Sequence, residues 1–278
     1  MTLPSRDDDA RAVATALDRY AAAALAAAGV LTAGGERLDD HQVVVERVAS
    51  AATDARVAQS LLAALDANRG AGEAFAEPCR VAIAELARSA RDRLEPLALD
   101  LGISDAPYDA DTRAALHRLG HQDAVRAIGR AVAASRGKNP WPLDATLSEV
   151  RTSVRQFAER EIAPHAEHIH RTDELVPDRF IDAMAALGYF GLSVPEQYGG
   201  HELGNLAMIL TTEELSRASL ASAGSLITRP EILAKALLAG GTDAQKQTWL
   251  PLIAAGERMV AISVTEPNVG SDVAAVAC

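Results

Sequence analysis

Apolar residues that step by three and four, turn after turn, most restrict what this chain can fold into. Val44, Val48, Ala51, Ala55, Ala58, Leu62 and Leu65 lie along one side of an α-helix, as do Ile83, Ala87, Ala90, Leu94, Leu97 and Leu101. Pro96 has no N–H to continue the second series and must kink or divide it. Val13, Leu17, Ala21, Ala24 and Ala28 mark an earlier helix, with Gly29 placed to cap its end. Two shorter helices are expected near 109–119 and 122–135. Aromatic residues are only 4% of the chain and alanine is abundant, which favours helix over strand. Residues 1–135 therefore read as a small bundle of antiparallel helices.

Arg136-Gly-Lys-Asn-Pro-Trp-Pro142 breaks this pattern, because two prolines, a glycine and an asparagine cannot extend a helix. Beyond it, Thr146 and Glu149 read as a capping box for a helix carrying Leu147, Val150, Val154, Phe157 and Ile162. Pro177 opens the helix of Phe180, Met184 and Leu187, and Gly188 closes it. Further helices are expected over 206–220 and 232–238, and Thr242 with Gln245 caps one over 243–255. Met259-Val-Ala-Ile-Ser-Val-Thr265 reads as a strand, and Val273–Ala277 as a second strand or hairpin arm. A strand needs a partner for its donors and acceptors. The expectation is thus an incomplete polypeptide that stops just inside a β domain, with a helical extension over 1–137, a helical domain over 138–257 and the start of a β domain over 258–278.

Charge narrows the function classes. Lys and Arg number 27 against 38 Asp and Glu, a net charge of −11, which argues against a nucleic-acid backbone or an anionic membrane surface as partner. Two cysteines make neither a disulfide framework nor a four-cysteine metal site, and fit a reducing compartment. The acidic N-terminus has no apolar core of a signal peptide, and no apolar run is read as long enough to cross a membrane, so a cytoplasmic location is expected. Asp7-Asp8-Asp9 reads as a frayed, charged terminus favouring the first helix's dipole. His165 and His168 sit one turn apart with His170 beside them, but Pro164 interrupts their helix and no third ligand type is placed with them, so no metal is expected. No G-x-G-x-x-G is present for a nicotinamide cofactor.

Three ordered stretches carry a resemblance. Ile262-Ser-Val-Thr-Glu-Pro-Asn-Val-Gly-Ser-Asp272 resembles the first signature of the acyl-CoA dehydrogenases, a Thr-Glu-Pro, two residues, then Gly-Ser-Asp. Gly191-Leu-Ser-Val-Pro-Glu-Gln-Tyr-Gly-Gly200 is similar to a loop of that family, and Gly241–Pro251 with Gly256-Glu257 to its last helix before the β domain. Ser263 and Val269 depart from the usual residues of the signature. The resemblance implies a mostly α chain: a helical extension, the family's N-terminal helical domain, and the first strands of its middle β domain. It also implies FAD as cofactor, an acyl-CoA substrate, an electron-transfer flavoprotein as electron acceptor and a homo-oligomer. By the same resemblance Ile262, Ser263, Val264, Thr265, Glu266, Pro267, Asn268, Val269, Gly270 and Ser271 lie along the flavin, and Ser271 also contacts the acyl-CoA. The family's catalytic carboxylate falls beyond residue 278, so no residue here is assigned as base.

The long extension and Ser225-Leu-Ile-Thr-Arg-Pro-Glu-Ile-Leu233 resemble the branch that oxidises (2S)-methylsuccinyl-CoA to mesaconyl-CoA in the ethylmalonyl-CoA route. A substrate with a free distal carboxylate needs a cationic partner, and Arg229 is the candidate, with Arg217 second. The bland alternative is a surface arginine paired with Glu231 or Glu213. Another short or branched acyl-CoA remains open as substrate. So does a different class of function, a non-catalytic helical interaction protein derived from a dehydrogenase fragment.

Overall fold

A computed structural model describes residues 4–138 and 141–277. The chain divides into two compact units, Met1–Pro142 and Leu143–Cys278, and the division falls within the Pro/Gly break.

The first unit is helical throughout its described residues: α1 (Arg6–Leu31), α2 (Gln42–Ala67), α3 (Glu73–Leu94), α4 (Ala98–Leu101), α5 (Ala110–Leu119) and α6 (Gln122–Ala134). α1 packs on α2, α3 and α5, and the apolar stripes named above meet there, with Leu17, Val48 and Ile83 almost fully buried. Pro96 divides the Ile83–Leu101 series as expected, through a 3₁₀ turn over Glu95–Leu97. Gly29 does not cap α1. The helix runs on to Leu31 and ends at Thr32, whose hydroxyl donates to the Ala28 carbonyl at 2.8 Å and so satisfies a terminal acceptor.

The acidic N-terminus is not frayed. Ser5 and Asp8 form a reciprocal capping box, and Asp9, buried, receives both guanidinium arms of Arg118 at 2.8 and 2.5 Å. Asp7 accepts from Arg80 at 2.7 Å, and Arg80 also reaches Glu73 at 2.6 Å. Asp7 and Asp9 thus fasten the start of α1 to α3 and α5, while Asp8 caps the helix itself. By length and composition α1 is apolar enough to cross a membrane, which corrects the sequence reading. Its Val13, Leu17 and Tyr20 are spent on the bundle core.

The second unit contains α7 (Ala145–Phe157), α8 (Ala163–Thr172), α9 (Asp178–Ala186), α10 (Gly204–Ser219), α11 (Ser225–Gly240) and α12 (Asp243–Ala254). α7 is capped by Asp144, which accepts from the Leu147 N–H at 2.8 Å, so Thr146 and Glu149 lie inside the helix rather than boxing its end. A π turn over Ala158–Ile162 joins α7 to α8, immediately before Pro164. Proline has no N–H for the Arg160 carbonyl, and the wider register accommodates the lost bond. Pro177 stands at the N-cap of α9, one place before the expected first turn, and Gly188 follows its end with φ +73°. α11 begins at Ser225, well before the expected 232, and carries Pro230 in its interior. The Thr242–Gln245 box caps α12 as expected.

The expected strands are absent. Among the described residues no strand forms, and 259–265 runs without a ladder. Glu266 and Val269 exchange a pair of main-chain hydrogen bonds, at 2.9 and 3.2 Å, around Pro267-Asn268. That single rung closes a turn, but no neighbouring strand extends it, and Val273–Ala275 coils into a 3₁₀ turn.

Candidate functional site

Two of the three motif segments are built into one corner of the second unit. The Gly191–Gly200 loop folds back on itself: His201 N–H donates to the Gly191 carbonyl at 2.9 Å, Leu203 to Leu192 at 2.8 Å and Glu202 to Val194 at 3.1 Å. Gly200 permits this closure, since a Cβ there would stand 2.0 Å from the Val194 oxygen. Val194 and Tyr198 are buried with Ala234 of α11 and Leu250 and Ala254 of α12. Gly256 ends α12 with φ +72°, and a Cβ there would meet Ala185 and Phe190 at 2.6 and 2.7 Å. The motif glycines are therefore contact points between the loop and the helices.

Ser193 Oγ donates to Glu231 of α11, and Lys235 lies 2.9 Å from the same buried carboxylate. These partners occupy Glu231, and the alternative Arg229–Glu231 pair does not form. Arg229 is exposed just over one turn into α11 and makes no ion pair or hydrogen bond among the described residues. Arg217, the second candidate, is committed elsewhere: it reaches Glu159 at 2.7 Å and Glu214 at 3.2 Å.

Glu214 is the residue that sequence reasoning missed. Its side chain is 1% exposed on α10, clasped by both arms of Arg155 from α7 at 2.8 and 2.5 Å. Burial pushes its carboxyl up, but the hydrogen bonds and charges of Arg155 and Arg217 outweigh that and hold it below the ordinary carboxylate range. A signal was available. Ala207, Leu210, Thr211, Glu214 and Leu215 follow the three-four spacing of a buried stripe, so a carboxylate on it needed a cation from another element.

The 262–271 segment is mostly exposed, with Ile262 and Val264 about half open to solvent. The main-chain groups of 259–265 make no hydrogen bond among the described residues. Exposed hydroxyls at Ser263, Thr265 and Ser271 flank the turn. This set of main-chain donors and hydroxyls, open to solvent beside a closed turn, fits the edge of a planar polar ring system such as a flavin. No contact joins Arg229 to this segment. Around the histidines, His168 Nε2 lies 3.2 Å from Glu174, and no cluster of three or more metal-ligating side chains occurs among the described residues.

The acyl-CoA dehydrogenase N-terminal domain matches residues 144–257. The (2S)-methylsuccinyl-CoA dehydrogenase of Cereibacter sphaeroides is 41% identical over 189 residues, 65% of this chain and 32% of that protein. The mitochondrial isovaleryl-CoA dehydrogenase of Solanum tuberosum is 40% identical over 138 residues, 49% of this chain and 33% of that protein. A solved structure described as an electron transferring flavoprotein of Acidaminococcus fermentans shares 32% identity over 49% of this chain and 35% of its own, with a TM-score of 0.46. The chain thus spans about a third of the length of the curated relatives it matches. Residues 144–257, folded as α7–α12 with their motif loop, match the N-terminal helical domain of the acyl-CoA dehydrogenases.

Proposed function

We propose that the protein carrying this chain catalyses FAD-dependent α,β-dehydrogenation of a short branched acyl-CoA, with (2S)-methylsuccinyl-CoA as substrate and mesaconyl-CoA as product. One observation supports this substrate over others. The second unit is just under half of the chain, so a match over 65% must enter the helical first unit, whereas the 49% match to the isovaleryl-CoA enzyme need not. At least part of the extension is thus matched by a relative named for methylsuccinyl-CoA.

The residues present fit the cofactor's edge, and Ile262–Thr265 with the Glu266–Val269 turn would hold it. FAD, when bound, supplies the acceptor for the hydride leaving Cβ. Once a partner surface orders the segment, the N–H donors of 262–265 and the Thr265 hydroxyl would favour negative charge on the bound group. Ser271 offers a hydroxyl toward the thioester. Arg229, exposed and unpaired, is the cation for the distal carboxylate, while Arg217 is excluded from that role by Glu159 and Glu214. An electron-transfer flavoprotein as acceptor, a homo-oligomer and a cytoplasmic location complete the proposal.

Arg229→Ala in the protein expressed from its whole reading frame tests the substrate. The expected result is a loss of kcat/KM of about tenfold or more for methylsuccinyl-CoA, with little change for the neutral 2-methylbutyryl-CoA. Equal losses on both thioesters would remove Arg229 from substrate recognition.

A further inference from the structure

Among the α-helices described in the first unit, α6 alone buries none of its residues. It rests on α3, and a groove lined by its Ile128 and Val132 and by Phe75 and Ala82 of α3 stays open beneath it. An element with so little buried surface opens at low cost, so whatever holds its ends decides whether it stays docked. Its N-terminus is held by a histidine. His121 is the N-cap, and its Nδ1 accepts from the Asp123 N–H at 3.3 Å. An imidazole nitrogen can accept only while it carries no proton, and imidazole gains its proton within the range of pH 8 to 5.

The surroundings oppose that proton. The His117 ring of α5 lies 5.6 Å away, centroid to centroid, and charges over the same range. α1 brings Arg6, paired with Glu77, to the carbonyls of Arg118 and Leu119 at 3.2 and 3.4 Å. α3 brings Arg88, paired with Glu85, to those of Leu116 and Gly120 at 3.3 and 3.4 Å. The carbonyls that end α5 thus already face two cations, and Arg118 itself is taken by Asp9. His121 also stands at the positive end of the α6 dipole. Asp123 is the anion at hand, 3.4 Å from Nδ1, but it is 73% exposed and shared with Arg126 at 3.6 Å. An exposed, shared pair returns less than the lost cap and the added repulsion cost. We propose that the α5–α6 corner is an acid-sensitive latch: protonation of His121 beside His117 removes the N-terminal cap and releases α6 from α3. The latch is independent of the activity proposed for the second unit.

Amide exchange of the 278-residue chain at about pH 7.5 and about pH 5.5, each corrected for the intrinsic rate, reads the latch. Protection over 122–134 is expected to fall about fivefold at the lower pH, the ratio that loss of one cap brings, while α1 keeps its protection. His121→Asn supplies a cap that does not titrate, and should leave α6 equally protected at both values. His117→Gln keeps the cap and removes the second charge, so a smaller fall is expected; an undiminished one would remove His117 from the latch. Equal protection of 122–134 at both pH values in the unsubstituted chain would overturn the proposal. So would a fall that persists in His121→Asn, or one that α1 shares to the same degree.

Discussion

Glu214 shows how a single buried charge fixes the second unit. The carboxylate is enclosed on α10, while Arg155 and Arg217 keep part of their surface in water. Removing either side of the pair therefore has unequal consequences. Glu214→Gln frees two guanidinium groups that can rehydrate, and should cost about 2 kcal/mol. Arg155→Leu strands an enclosed anion with only Arg217, and should cost more, about 3 kcal/mol. Urea denaturation of the two variants checks the order, which reverses if Arg155 rather than Glu214 carries the desolvation cost. The pair also has a pH signature. A carboxyl held below its ordinary value binds fewer protons folded than unfolded, so its stabilisation is complete above the unfolded value of about 4.3. It is lost as pH falls through that region and below. The stability gap between the unsubstituted chain and Glu214→Gln should therefore be constant from pH 6 to 8 and shrink in acid. This residue was legible only as a polar interruption of an apolar stripe. Its partner lies 59 positions earlier, and nothing local to either residue names the other. The Asp9–Arg118 pair, 109 positions apart, was hidden for the same reason and turned an apparently frayed terminus into an anchored one.

At the scale of elements, the three-four periodicity was sufficient for most helices, because burial of one face is what holds them. Their ends were less legible. The caps at Asp144 and Thr32 are decided by which hydroxyl or carboxylate reaches a free N–H or carbonyl, and several nearby residues could have served. The strand over 259–265 failed for a different reason: its residues have the composition of a strand, but ladder formation depends on a neighbour. Ordering of this segment should therefore require a partner surface. Amide exchange over 259–265 of the 278-residue chain is expected at near-random-coil rates, and strong protection there would contradict the unpaired conformation. The motif loop was legible as a pattern, while its purpose emerged only from packing. Gly200→Ala places a methyl group against the Val194 carbonyl and should lower stability by about 2 kcal/mol or more. A thermal melt unchanged by this substitution would refute the close approach.

The whole molecule is two helical units joined at a Pro/Gly-rich break, each with its own core. The first unit closes α1 onto α3 and α5 through arginine–carboxylate pairs as well as apolar contact. Residues 1–142 expressed alone should unfold cooperatively in urea with strong helical circular dichroism, and a gradual, structureless melt would deny them independent folding. The match of the second unit to the dehydrogenases' N-terminal domain, and the reach of the methylsuccinyl-CoA relative into the first, support the one activity proposed. Anaerobic addition of (2S)-methylsuccinyl-CoA to the purified protein, expressed from its whole reading frame, tests it most directly. The account predicts a bound flavin whose visible absorbance bleaches with methylsuccinyl-CoA and much more slowly with isovaleryl-CoA. A protein that carries no flavin, or whose flavin neither thioester reduces, would contradict it.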